Sequence, residues 1–506
     1  MASRHNEMNA SLFQSFKEWL QQRVMTEKMH NPFGLLVLSG ISIALAFVIF
    51  KFGLIPGVLA VGAMIGLPMV VALVLYPRFG LIVYLSLGYL IMWFFKLGVN
   101  FPLGTLMDGM MALFMLSFFI AQKKKPNWAI YKSPVTVMML VWIIYNLLEV
   151  LNPTAESKTA WIYTVRTVAI VMFMYFIFVY YIDTKKFIKV IIKLWMGLAL
   201  FAALYAIKQE QIGFFAFEEN YLHSDPGIEL LLFIGGVWRK FSIFSDPVAF
   251  SYNMVTASLM AIALLSSGVS KKKKIILYIM IMLFITAMLY SGTRGAYVLL
   301  PVALLLLAIL KYNKKVIVIL LTTVVLGVTL INIPTSNQTL FRFQSAFKPN
   351  DDASFNLRKM NQKKIQPYIL EHPMGGGLGA TGEWGKRFAP YSYLANFPPD
   401  SGYVRVAVEL GWLGLFLFCA LMFTIMRAGV LNYYSIRDPQ LKAYCLGALL
   451  VVFALNFGNY PQEAIVQYPS NVYFYLVAAL ITVTKRLDQQ QNEALCTAQE
   501  SLKTGI

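Results

Sequence analysis

The chain has 506 residues, 58% of them hydrophobic and 13% charged, with a mean hydropathy of +0.64. Soluble domains carry roughly 45–50% apolar and about 25% charged residues, so a soluble enzyme of this size is excluded; 15% aromatic residues exclude a disordered chain. On so apolar a chain the net charge of +19, from 43 Lys and Arg against 24 Asp and Glu, points first to cytoplasmic loops, not to nucleic acid.

Residues 1–32 lack the apolar core of a signal peptide. Leu12, Phe13, Phe16, Trp19, Leu20 and Val24 recur at helical spacing beside Lys17 and Arg23. This pattern predicts an amphipathic helix on the cytoplasmic leaflet, with a frayed tail as the alternative. Fourteen apolar stretches follow, near 33–50, 54–75, 80–95, 103–120, 134–151, 161–181, 187–207, 247–267, 275–290, 296–310, 316–333, 403–426, 443–457 and 470–484. A span needs about 20 apolar residues and several of these are short, so the sequence predicts an all-α polytopic membrane protein of about 12–14 transmembrane helices.

Lys and Arg in the short loops set the orientation. Lys123, Lys124, Lys125, Lys132, Lys185, Lys186, the four lysines at 271–274, Lys311, Lys314, Lys315, Arg427, Arg437, Lys442, Lys485 and Arg486 fall on one side. The short loops on the other side hold only Lys51, Lys96, Lys158 and Arg294. The separation predicts both termini in the cytoplasm. The organisation that follows is a cytoplasmic segment 1–32, helices over 33–333 with an outer loop 208–246, a large outer loop 334–401, helices over 402–484, and a cytoplasmic tail 485–506.

Long loops in a compact membrane protein are disproportionately functional. The 334–401 loop carries Arg342, Lys348, Arg358, Lys359, Lys363, Lys364, Lys386 and Arg387 against Asp351, Asp352, Glu371, Glu383 and Asp400. It reads as an anion site above the membrane, or as a solvated loop with incidental charge. Ser-Gly-Thr-Arg-Gly at 291–295 interrupts two apolar stretches, where an arginine is costly unless solvated, paired or working. Arg166 and Arg405 stand at outer edges of spans, and Glu409, one turn on, offers Arg405 an ion pair. The glycine run at 375–377 has no Gly-Lys-Ser/Thr after it and reads as a tight turn; His372, before a proline, reads as structural more than catalytic. Cys419 and Cys445 fall in spans and Cys496 in the tail, and no metal-ligand spacing occurs, so no metal or other cofactor is expected.

Over roughly 160–480 the chain resembles the O-antigen ligase and polymerase superfamily of bacterial inner membranes. The resemblance rests on Arg-Lys-Phe-Ser-Ile-Phe-Ser-Asp-Pro at 239–247, Ser-Gly-Thr-Arg-Gly at 291–295, Arg358, His-Pro-Met-Gly-Gly-Gly-Leu-Gly at 372–379, and Gly-Trp-Leu-Gly at 411–414. It implies a type-C glycosyltransferase that works on the periplasmic face without metal or nucleotide. The implied donor is a glycan on undecaprenyl diphosphate; the acceptor is a lipid, glycan or protein hydroxyl. The family places a His-Asn pair before Tyr-Leu at the end of the large loop. Here Asp400, Ser401, Gly402, Tyr403 and Val404 stand there, so the histidine is missing and Asp400 is the substitute base. Fixed guanidinium groups suit a diphosphate leaving group, being always charged, planar and bidentate. Arg294 and Arg358 are the expected clamp, Arg239 a third member, and Tyr403, Arg405, Arg387, His372 and Tyr391 further candidates for substrate contact. The readings in competition are a ligase, a repeat-unit polymerase, and, from another class, a transporter or lipid-linked sugar flippase. Against the last stand the few midspan charges, Asp108 and Glu149, and the absence of an internal repeat.

Overall fold

The computed structural model describes residues 32–52, 66, 70–98, 102–234, 236–335, 341, 344, 347 and 353–504. The expected amphipathic segment before residue 32, most of the stretch 54–75, and Arg342, Lys348, Asp351 and Asp352 lie outside the described residues. The chain divides into two compact units, Met1–Leu75 and Tyr76–Ile506. In the first, the described helix is α1 (Pro32–Phe52).

Lipid offers a backbone no hydrogen bonds, so each apolar stretch closes its own ladder as a helix. In the second unit these are α2 (Pro77–Lys96), α3 (Leu103–Lys124), α4 (Pro134–Leu148), and α5 (Lys158–Val168) continued through a short 3-10 turn by α6 (Phe173–Tyr181). Next come α7 (Lys185–Gln211), the short α8 (Ala216–Leu222) and α9 (Pro226–Leu232), and a two-stranded antiparallel hairpin, β1 (Phe233–Ile234) with β2 (Val237–Trp238). Then follow α10 (Pro247–Leu264), α11 (Lys271–Tyr290), α12 (Arg294–Leu310), α13 (Lys314–Asn332), α14 (Ala353–Glu371), α15 (Gly382–Phe388), α16 (Gly402–Ser435), α17 (Pro439–Gly458) and α18 (Ser470–Thr504). Nine helices among the described residues are long and apolar enough to cross a membrane, and three shorter apolar helices accompany them. The chain is an all-α, multi-pass membrane protein.

The interior is built on α10 and α17, whose apolar windows are 83% and 78% buried, with α18 packed on α17. The middle of α10 is rich in Ala and Ser (Ser251, Ala257, Ser258, Ala261, Ala263), small side chains that let helix backbones approach where dispersion, not water exclusion, drives packing. Proline at the first turn with an aspartate cap starts both core helices. Asp246 accepts from Val248 N at 2.8 Å and Ala249 N at 2.9 Å, and Asp438 accepts from Gln440 N and Leu441 N.

Three segments differ from the sequence reading. The 208–246 loop begins only after Gln211 and is structured by α8, α9 and the hairpin. The 334–401 loop contains α14, which carries Arg358, and α15. The 485–506 tail continues α18 as helix to Thr504; Asp488 is buried at its root and accepts from Arg437 N and Asp438 N at 3.1 and 2.9 Å. Two charges also change character. Lys96, read as a loop residue, is buried and donates to Phe244 O, with its ammonium 3.6 Å from the Phe241 ring centre. Asp108 is not an isolated midspan charge but pairs with Arg166 at 3.2 Å.

Candidate anion-binding cleft

The cleft begins with a turn. At the end of α11, Ser291 Oγ donates to Met288 O at 2.6 Å and accepts from Thr293 N at 3.1 Å, which reverses the chain so that Thr293 caps α12 and Arg294 opens it. Gly295 packs so closely on α10 that a Cβ there would stand 2.9 Å from Tyr252 Oη. Arg239, just past the hairpin, fastens this turn from the side. Its Nε donates to Ser291 O at 3.0 Å, Nη2 to Thr293 Oγ1 at 2.9 Å and Nη1 to Leu231 O at 3.3 Å. Thr293 Oγ1 in turn donates to Pro247 O at 3.0 Å, tying the turn to the start of α10.

The stretch that delivers Arg239 is itself pinned. Ser242, at φ 53°, donates its N–H to Gln209 Oε1 at 2.8 Å and its hydroxyl to Ala202 O at 2.6 Å. Lys240 bonds Trp238 O at 3.0 Å and pairs with Glu210 at 3.1 Å. This guanidinium is therefore held by its surroundings before any ligand arrives.

Arg239, Arg294 and Arg358 converge on one cleft of about 170 Å³, whose walls include Gly292, Pro461 and Gln462 and, among the described residues, no acidic one. The three arginines come from the hairpin, the start of α12 and α14, segments far apart in sequence. Arg358 has Asp400 beside it, Nε to Oδ2 at 3.8 Å, just before α16. Three guanidinium groups around one small volume repel each other, an arrangement that an anion of two or more charges relieves.

A second cluster holds the cleft's frame. α16 breaks at Gly411, at φ 67°, and the carbonyls freed by the break are taken up from outside the helix. Gly376 N donates to Val408 O and Gly377 N to Glu409 O, each at 2.9 Å, and Tyr145 Oη donates to Leu410 O at 2.8 Å. The glycine run is thus a backbone splint. A Cβ at Gly375 would lie 2.4 Å from Gly411 N, and one at Gly411 would lie 1.9 Å from Pro373 O. Gly411→Ala is therefore expected to cost on the order of 3 kcal/mol, read as loss of the folded species in detergent by size-exclusion chromatography after mild heating.

The Glu409 carboxylate accepts from Gly379 N at 3.0 Å, Thr381 N at 3.3 Å, the Thr381 hydroxyl, and Arg405 Nε at 3.1 Å. Arg405 Nη1 reaches Glu463 at 2.7 Å. One arginine thereby links the end of the large loop, α16, and the 459–469 connection that supplies Pro461 and Gln462 to the cleft. Burial pushes the Glu463 carboxyl above its usual range against the pull of Arg405, with Glu409 and Asp400 adding to the rise. Since folding raises this pKa, the stabilisation is full at low pH and is lost as pH climbs through the raised value. Glu463→Gln keeps an acceptor for Arg405 and removes the titration. Its unfolding midpoint is expected to fall less than that of the unsubstituted chain between mildly acidic and neutral pH, measured by thermal unfolding in detergent.

The remaining sequence candidates stand elsewhere. Arg405 is committed to its two carboxylates. His372 stacks on Tyr368, ring centres 4.0 Å apart, and its Nδ1 donates to Tyr368 O at 2.9 Å. Tyr403 Oη bonds Asn456, with Asn456 O at 3.2 Å. Arg387 lies against Trp384 and Phe388, which stack on Tyr163, and Tyr391 is fully exposed; neither lines the cleft. Glu149 supports the glycine splint through Asn152, which bonds it at 2.8 Å and Met374 O at 2.9 Å. The sequence reading missed Gln462 and Glu463; a Pro-Gln-Glu run in a short polar connection between two apolar stretches was the available signal.

The family model described as O-antigen ligase matches residues 278–419. The match takes in the Ser-Gly-Thr-Arg-Gly turn, Arg358, the glycine splint, Asp400 and the break at Gly411, and leaves out Arg239 and Glu463. Over those residues the chain is similar to the O-antigen ligase family, which supports the resemblance read from the sequence. No curated protein matches the chain.

Proposed function

We propose that the chain transfers a glycan from an undecaprenyl-diphosphate-linked donor to an acceptor hydroxyl on the periplasmic face of a bacterial inner membrane, with inversion and without a metal, in surface polysaccharide synthesis. The observation that carries this reading is the convergence of Arg239, Arg294 and Arg358 on one cleft with Asp400 at its margin. Breaking the bond between the anomeric carbon and the phosphate oxygen builds negative charge on the leaving diphosphate. Arg294 and Arg358 clamp that diphosphate and offset the charge, the work a metal ion does in many other transferases. Arg239 holds the turn that carries Arg294 and adds positive field. Asp400 takes the acceptor's proton as its oxygen attacks the anomeric carbon from the face opposite the leaving group. Undecaprenyl diphosphate departs, and the new glycosidic bond has inverted configuration.

The basic short loops support both termini in the cytoplasm, which sets the cleft on the opposite side, where lipid-linked glycans are assembled into polymers. Membrane lipids, the donor and a lipid, glycan or protein acceptor are the partners; nucleic acid is not among them. Transfer by the purified chain, given a lipid-linked donor and scored for chain length and acceptor identity, tests the reading. Release of undecaprenyl diphosphate with a new glycosidic bond supports it, and transport without release overturns it. Surface glycan from a deletion strain separates the two branches: loss of a ligase leaves polymerised lipid-linked glycan, and loss of a polymerase leaves single repeats.

A further inference from the structure

The pairing of Arg358 with Asp400 joins the proposed clamp to the proposed base, and it does so loosely. At 3.8 Å the contact is well beyond the roughly 2.8 Å of a charge-assisted hydrogen bond, and both side chains are partly exposed, 27% for Arg358 and 41% for Asp400. An ion pair of this kind exchanges readily for a better partner. Arg358 lines the cleft with Arg239 and Arg294, whereas Asp400 is not part of the cleft wall. A ligand in the cleft and the Asp400 carboxylate thus reach the same guanidinium.

The two side chains are mounted differently. Arg358 rides on α14, inside the large loop. Asp400 is tied to the frame: its N donates to Pro398 O at 2.9 Å, and the next residue, Ser401, caps α16. The Glu463 carboxyl, held by Arg405, is pushed up in part by the Asp400 charge.

We propose that Asp400 and the donor's diphosphate compete for Arg358, so that seating the donor releases Asp400 to take the acceptor's proton. This rests on the clamp-and-base reading above and adds a compulsory order to it: donor first, acceptor hydroxyl second. In the exchange no covalent bond changes; a diphosphate oxygen replaces a carboxylate oxygen on the guanidinium, and Asp400 leaves as the free carboxylate. The base is then unavailable to a hydroxyl until a leaving group is clamped.

Inorganic pyrophosphate, titrated into the purified full-length chain in detergent at low ionic strength, probes the clamp without the lipid. Asp400→Asn is expected to tighten pyrophosphate binding by roughly two- to fivefold, the size of one exposed ion pair removed as competitor. In an Arg358→Ala background the same substitution is expected to change the affinity by less than about twofold. Asp400→Glu, which keeps the charge, is expected to bind like the unsubstituted chain and serves as the variant least able to disturb folding. Unchanged or weaker binding by Asp400→Asn overturns the competition, and so does equal tightening with and without Arg358. Arg294→Ala and Arg358→Ala separate the two levels. Weakened pyrophosphate binding in both with no effect of Asp400→Asn leaves the clamp standing and removes the competition, whereas unchanged binding in both removes the clamp and the competition with it.

Discussion

Arg294→Ala is expected to lower glycan transfer by about 10²–10³-fold while the protein remains in the membrane at its usual level. The magnitude is that of removing one fixed donor from a developing anion, roughly 2.7–4 kcal/mol of barrier. Arg294 opens α12 and lines the cleft, with the turn behind it built by Ser291, Thr293 and Arg239, so its loss leaves that scaffold in place. Arg294→Lys keeps the charge and loses the planar fork, so an intermediate loss is expected. Arg239→Ala behaves differently, because it strips donors from Ser291 O and Thr293 Oγ1, both buried. Each unsatisfied acceptor costs about 1–3 kcal/mol, so that variant is expected to lose thermal stability as well as activity. In vitro transfer with a lipid-linked donor, run beside immunoblots of membrane fractions and unfolding curves, checks the set. Near-normal transfer by Arg294→Ala removes that residue from the clamp.

Asp400→Asn is expected to lower turnover by about 10²–10⁴-fold, the contribution of a positioned general base, with folding intact. The amide fits the same space, and the backbone bond to Pro398 O and the Ser401 cap do not involve the side chain. The Arg358 contact is the cost of the change, and at 3.8 Å between partly exposed groups it contributes little to stability. Asp400→Glu shifts the carboxylate by one methylene and is expected to recover part of the rate. Full turnover by Asp400→Asn, measured under donor saturation, removes the base assignment and directs attention to the other acidic group near the cleft, Glu463.

Much of the fold was legible because a membrane makes secondary structure a local matter. Every apolar stretch read from the sequence, apart from 54–75, lies in or begins a described helix. The errors fall where no lipid dictates the answer. α14 carries Lys359, Lys363, Lys364 and an internal Pro367, and its apolar face is confined to Ile365, Tyr368 and Ile369, too short a pattern to mark a helix of this length. The polar half of α18 continues a helix begun in the apolar core and anchored at Asp488, a length the 485–506 composition does not announce.

The site divides along the same line. Arg294, Arg358 and Asp400 were readable as residue types set in unusual places, a cation between two spans and a carboxylate where the family has histidine. That Arg405 serves as a clip was half legible, since Glu409 is one turn away; Glu463, its second partner, is fifty-eight residues on in sequence and visible only in space. The glycine run reads as a turn, but its partner is the break at Gly411, and neither half explains the other until the two backbones meet.

The sequence by itself determined that this is a helical membrane protein and that its basic residues gather in particular short loops. These depend on burial cost and net charge, which are properties of single residues and short windows. Tertiary structure decided that Arg239, Arg294 and Arg358 share one cleft, that Asp400 stands beside only one of them, and that Arg405 and the glycine splint hold the frame. Those outcomes depend on contacts between segments tens to hundreds of residues apart, where packing geometry, not composition, selects the partner.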